Sequence, residues 1–178
     1  MARREKSMRR YDVRRIALVA IMAAVVCVLT AVPRVPVPAT GGYVHLGDVG
    51  AAFAALAFGP SLGFLISGGG MAVADVIGGY ALYAPGTFVI HGLQAVVIAL
   101  LGQRRNAWLM FVAAAAGGVI VVGGYFLYQW LILGMAMTVA LVEVPFNMLQ
   151  ASVGLLGVPL YLLVRRAYPP LVRWAQPS

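Results

Sequence analysis

Glu143, Asn147 and Gln150 stand at i, i+4 and i+7, a spacing that lines a carboxyl group and two amides along one helix face. Thr87, His91 and Gln94 repeat that spacing, and Tyr125, Tyr128 and Gln129 group in the same way. His45, Asp48 and Asp75 add an imidazole and two carboxyls, while Tyr80 and Tyr83 follow Gly78-Gly79. Such side chains suit the capture of a small molecule, with aromatic walls for contact area and a few polar groups to fix orientation.

Catalysis fits these residues less well. No G-x-x-x-x-G-K-[ST] segment occurs and the one lysine is Lys6, so the chain carries no P-loop for ATP. Ser67 lies in ISGGG rather than G-x-S-x-G, some two turns from Asp75, and makes a poor nucleophile candidate beside His91. His45-x-x-Asp48 alone is too sparse for a metal site. The expectation is a protein that is not an enzyme and needs no cofactor or metal.

Composition sets the solvent in which these residues must be positioned. Hydrophobic residues make up 62% of the 178 and charged residues 10%, against roughly 45–50% and about 25% in soluble domains. Mean hydropathy is +0.93. Too little polar surface exists to cover a globule in water, so the bulk of the chain belongs in a bilayer. Cys27 is the single cysteine and excludes an internal disulfide. The net charge of +8 comes from clusters at the chain ends and at Arg104-Arg105, with no aromatic interleaving. It fits contact with anionic head groups and not nucleic acid.

Long uncharged runs separate the clusters. Ile16–Val32 and Pro85–Leu101 each give one 17-residue helix, near the lower limit of roughly 17–25 for a span. Pro33, Pro36 and Pro38, with Gly41-Gly42, mark a loop. Leu46–Ile77 is too long for one helix and short for two, so a broken hairpin turning at Gly59-Pro60 and ending at Gly78-Gly79 is expected. Ala107–Val164 holds two more helices, with a break near Gly134–Met137 and a kink at Pro145. The fold class is an all-α integral membrane protein, a six-transmembrane-helix bundle with both termini cytoplasmic. That count puts twelve of the thirteen Lys+Arg residues inside and leaves Arg34 alone outside. Residues 1–15 form a basic cytoplasmic segment, 16–167 the six-helix membrane domain, and 168–178 a cytoplasmic tail.

In this topology His45, Asp48, Asp75, Tyr80, Tyr83, Thr87, His91, Tyr128, Glu143, Asn147 and Gln150 gather toward the outer ends of their helices. A charged side chain within a span costs on the order of 2.5–3.5 kcal/mol on insertion scales, so the grouping marks a candidate substrate site. Interhelical glue accounts for single Asn or Gln residues, but gives no reason to avoid the inner leaflet. On the first helix Ala20-x-x-x-Ala24 lets another helix approach closely, either within the bundle or from a separate membrane subunit.

HLGD at 45–48, FGPSLGFLISGGGMAVADVIGGYALYAP at 58–85 and EVPFNMLQASVG at 143–154 resemble the substrate-binding S components of energy-coupling factor (ECF) vitamin transporters. The likeness covers about residues 15–165. It implies six helices and an outward-facing site for a vitamin or vitamin precursor. It also implies a membrane coupling subunit and two cytoplasmic ATPases as partners in the cell inner (plasma) membrane, with Ala20 and Ala24 similar to the family's partner-contacting surface. The alternative is a self-sufficient secondary transporter driven by protons through Asp75 or Glu143. No obvious inverted repeat or midplane carboxylate supports it.

Overall fold

The computed structural model describes residues 13–103 and 105–170, and these are helical apart from one short hairpin. Most of the expected basic N-terminal segment, Arg104 and residues 171–178 lie outside the described residues. The helices are α1 (Val13–Ala31), α2 (Gly47–Phe58), α3 (Pro60–Gly78), α4 (Ala84–Gly102), α5 (Ala107–Leu127), α6 (Met137–Gly154) and α7 (Gly157–Ala167). Strands β1 (Val35–Val37) and β2 (Gly42–Val44) join α1 to α2.

Glycine and proline set the helix ends. Gly59, with φ of 82°, breaks α2 from α3, and Pro60 opens α3 where a missing N–H costs nothing. Gly79 takes the left-handed conformation after α3, with Tyr80 N–H donating to Asp75 O and Gly79 N–H to Val76 O. This Schellman turn folds Tyr80 back toward Asp75. The break after α5 falls at Leu133–Ala136, close to the expected place.

Two expectations need correction. The proline-rich segment after α1 is a hairpin and not a plain loop. Val35 pairs with Val44, Pro36 with Tyr43 and Val37 with Gly42, around a turn in which Gly41 has φ of 67°. Pro36 is tolerated because a two-stranded ribbon consists of edges only. The last helical stretch, expected to run unbroken to Val164, is interrupted at Leu155–Leu156, while Pro145 lies within α6.

Among the described residues, four helical segments are long and apolar enough to cross a membrane: Pro60–Gly78, Ala84–Gly102, Ala107–Ile132 and Met137–Ala167. The molecule is an all-α membrane protein in which α2, of 12 residues, is only about 18 Å long, short of the roughly 30 Å hydrocarbon layer. Its sequence GDVGAAFAALAF is apolar on every side, and all but Val49 are buried. Small residues around its circumference let α1, α3, α4, α6 and α7 close on it, so α2 is the axis of the bundle.

Glycines fix the closest approaches. A Cβ at Gly68 of α3 would meet the carbonyl oxygen of Phe88 on α4 at 2.3 Å, and one at Gly157 would meet Val49 O at 2.4 Å. Gly68→Ala is therefore expected to destabilise the protein by about 1–3 kcal/mol through overpacking against backbone. The readout is the midpoint of thermal unfolding in detergent; an unchanged midpoint would argue against this contact.

On α1, Val26 and Thr30 are buried against the bundle, while Ala20 and Ala24 are exposed on the opposite side. Ala24 lies in a shallow surface groove with Ile21, Val25, Val28 and Leu29. The small-residue strip is left open on the surface and is not used for packing inside the bundle.

Candidate ligand-binding site

The β-hairpin lies over the bundle end at which α2 begins and α3 finishes. Gly42 in β2 rests on α6, where a Cβ would come within 2.6 Å of Glu143 Oε1, so the absent side chain leaves room for that carboxylate against the strand. Tyr83 donates its hydroxyl to Thr40 O at 2.7 Å and ties the hairpin turn to the start of α4. Tyr43 donates to Asp75 Oδ1 at 2.5 Å and tilts against Tyr80 with ring centroids 4.5 Å apart. The Arg34 guanidinium lies 5.5 Å from the Tyr43 ring centre and 5.7 Å from that of Tyr80, a cation–π contact with both.

Beneath this cover lies a pocket lined by Gly42, Tyr43, His45, Asp75, Tyr83, Thr87, Tyr125, Glu143, Asn147 and Gln150. The face predicted on α6 points into it through the buried Glu143, Asn147 and Gln150, while Gly154, also buried, packs below against Asp48. Thr87 and Tyr125 hydrogen-bond at 2.7 Å across α4 and α5. After α5 the backbone widens into a π-helical turn, Tyr128–Ile132, in which Leu133 N–H reaches Tyr128 O. This turn brings Gln129 fully inside, where its amide nitrogen donates to Glu143 Oε2.

The other predicted residues take different places. Asp48 and His91 are buried but form a layer below the pocket, with His91 Nδ1 3.2 Å from Asp48 Oδ1. Tyr80 packs outside Tyr43. Tyr128 fits over Gly86 and donates to Leu82 O at 2.7 Å, away from the lining. Tyr43 and Gly42 went unrecognised because their segment reads as a connecting loop; the alternation VPV…GYV around Thr40-Gly41 was the available signal.

The free space inside the lining is about 10 Å³, close to the volume that one water requires. A ligand larger than water would enter only by displacing side chains that now meet one another. Among the described residues, Asp75 Oδ2, His91 Nε2 and Gln129 Oε1 are buried without a hydrogen-bond partner, a cost of about 1–3 kcal/mol each if left so. Asn147 makes no side-chain hydrogen bond among the described residues, so its amide is available in the pocket.

Electrostatics follow from burial. The Tyr43 phenol is pushed well above its usual range by burial, then by its hydrogen bond to Asp75 and that group's charge. Burial and the Glu143 charge raise Tyr83 to about 12. His45 accepts the Gly47 N–H at its Nδ1 and is lowered to about 3, chiefly by burial; Asp48 opposes the shift and His91 adds to it. A neutral imidazole favoured by the fold gives stability that is complete above the unfolded value of 6.5 and is lost as pH falls from there toward 3. One such proton costs at most about 1.4 kcal/mol per pH unit. Wild-type protein is expected to lose thermal stability between about pH 6.5 and pH 5, and His45→Asn to lose less. Parallel pH curves for the two proteins would exclude His45 as the group responsible.

An apolar helix bundle with several helices long enough to cross a membrane is the architecture of a multi-pass membrane protein. A family model for the ECF-type riboflavin transporter, S component, matches residues 10–166. An uncharacterized protein of Pyrococcus woesei is 34% identical over 149 residues, covering 82% of this chain and 99% of that protein. The thiamine precursor transporter HmpT of Lactococcus lactis subsp. cremoris is 31% identical over 150 residues, 84% of this chain and 86% of its own length. The chain belongs to the family of ECF-type transporter S components, the membrane proteins of vitamin uptake.

Proposed function

We propose that this chain is the high-affinity binding subunit that captures a vitamin or vitamin precursor outside the cell for ATP-driven uptake through an ECF complex. The pocket carries this reading. Helices α3, α4, α5 and α6 and the hairpin all direct polar or aromatic side chains into one space at one end of an apolar bundle. His45, Asp75, Tyr83, Thr87, Glu143, Asn147 and Gln150, joined by Tyr43 and Tyr125, contact the ligand. Asp48 and His91 support them from below, and Tyr80 and Tyr128 brace the rim.

The hairpin end faces outward and both chain ends face the cytoplasm, with the bundle crossing the inner (plasma) membrane. The partners are a membrane coupling subunit and two cytoplasmic ATPases, and the chain itself performs no catalysis. Tyrosine rings suit stacking on a planar ring, and carboxylates and amides suit its ring nitrogens and attached amino groups. The description of the family names riboflavin and that of one relative a thiamine precursor, so a flavin or an aminopyrimidine is the ligand class. Native mass spectrometry of purified protein, followed by titration with riboflavin and an aminopyrimidine, tests the assignment. One probe bound at one per chain is expected; a protein that releases no such compound and binds neither would refute it.

A further inference from the structure

Gln150 is held at both ends of its amide by groups of fixed polarity. Its Oε1 accepts from the backbone N–H of His45 at 3.0 Å, and its Nε2 donates to Asp48 Oδ2 at 3.4 Å. A backbone N–H only donates and a carboxylate only accepts. Turning the amide over would set oxygen against carboxylate and N–H against N–H, so one orientation is chemically required. The amide nitrogen keeps a second hydrogen, and Gln150 lines the pocket.

Asp48 is not part of that lining. It is 1% exposed in the first turn of α2, and α6 presses on it at Gly154, where a Cβ would lie 2.8 Å from Asp48 Cβ. On its far side, His91 Nδ1 lies 3.2 Å from Asp48 Oδ1 and 2.7 Å from Gln94 Oε1. Two acceptors face that nitrogen, so it carries a proton, and the imidazole backs the carboxylate.

We propose that Asp48 is a positioning residue that holds Gln150 from beneath the pocket so that α6 presents an N–H donor to the ligand. This rests on the reading of the pocket as the ligand site. At the other end of the same face Glu143 offers carboxylate oxygens as acceptors. The α6 face thus runs from acceptor at Glu143 to donor at Gln150, with Asn147 between. A ring edge bearing a donor and an acceptor, such as an amino–imine or amide–imide pair, fits it in one orientation only.

A double-mutant cycle on the full chain in nanodiscs tests this, with riboflavin and an aminopyrimidine as probes. Binding of neither probe by the wild type overturns the pocket reading and this proposal together. With the probe that binds, Asp48→Ala is expected to weaken affinity at least tenfold in the wild-type background. In a Gln150→Ala background the same change should alter it less than twofold, because Asp48 acts through Gln150. Equal losses in both backgrounds, as general damage to the fold would give, contradict the proposal, as does no loss in either. Should Asp48→Ala fail to fold, Gln150→Glu keeps the acceptor for His45 N–H and removes the amide hydrogens. At least tenfold weaker binding at pH 8 is then expected, and undiminished affinity overturns the proposal.

Discussion

Leucine at Ala20 or Ala24 is expected to abolish assembly with the membrane coupling subunit and ATP-driven uptake, while ligand affinity stays within about a factor of three. Both alanines are exposed on the side of α1 that faces away from the bundle. A partner helix can approach there to the short separation that small side chains allow, gaining dispersion contacts in lipid, where no hydrophobic effect drives association. A leucine side chain fills the strip and holds that helix away. The pocket is built from the hairpin and α3 to α6, so the mutation reaches it only weakly, by under roughly 0.7 kcal/mol. Co-purification with the coupling subunit and ligand titration of the isolated chain read the two effects separately. Lost ligand binding with intact assembly would show that the strip serves the fold.

Asn147→Ala is expected to weaken ligand binding by about 1–3 kcal/mol, because buried polar groups of the ligand would lose their partner. Asn147 lies midway along the α6 face and is 3% exposed, with its amide uncommitted among the described residues. Its neighbours on the face are already engaged, Glu143 by Gln129 and Gln150 by His45 and Asp48. Truncating Asn147 thus removes ligand contacts without dissolving a network, and the folded protein should keep its thermal midpoint. Unchanged affinity for Glu143→Ala, Asn147→Ala and Gln150→Ala alike would remove α6 from the site.

The helix ends and the α6 face were legible in sequence because their signals are local. Gly59-Pro60, Gly78-Gly79 and Pro85 act on their own backbone, and the i, i+4, i+7 spacing holds in any continuous helix. The hairpin leaves only the short VPV…GYV pattern, since strands of three residues with a proline inside carry little periodic signal. That hid Tyr43, whose hydroxyl reaches Asp75 across 32 positions of sequence. The π turn that buries Gln129 left no local signal; its amide meets Glu143 of the next helix, 14 positions on. Depth was also invisible. Asp48 and His91 share an end of the bundle with the pocket residues but lie a layer below them, and spacing along one chain does not measure that offset. The interruption at Leu155–Leu156 comes where Gly154 and Gly157 press on α2 and Pro159 opens α7, contacts between helices that the run of apolar residues does not announce.

Uptake into proteoliposomes separates a binding subunit from a transporter that works alone. The purified chain is reconstituted alone, or together with a coupling subunit and two ATPases, and labelled riboflavin or aminopyrimidine is added outside the vesicles. The chain alone is expected to bind its ligand but accumulate none under an imposed proton gradient, and accumulation is expected to need the added subunits and ATP. Accumulation by the chain alone, driven by the proton gradient and indifferent to ATP, would contradict that expectation and identify a self-sufficient secondary transporter.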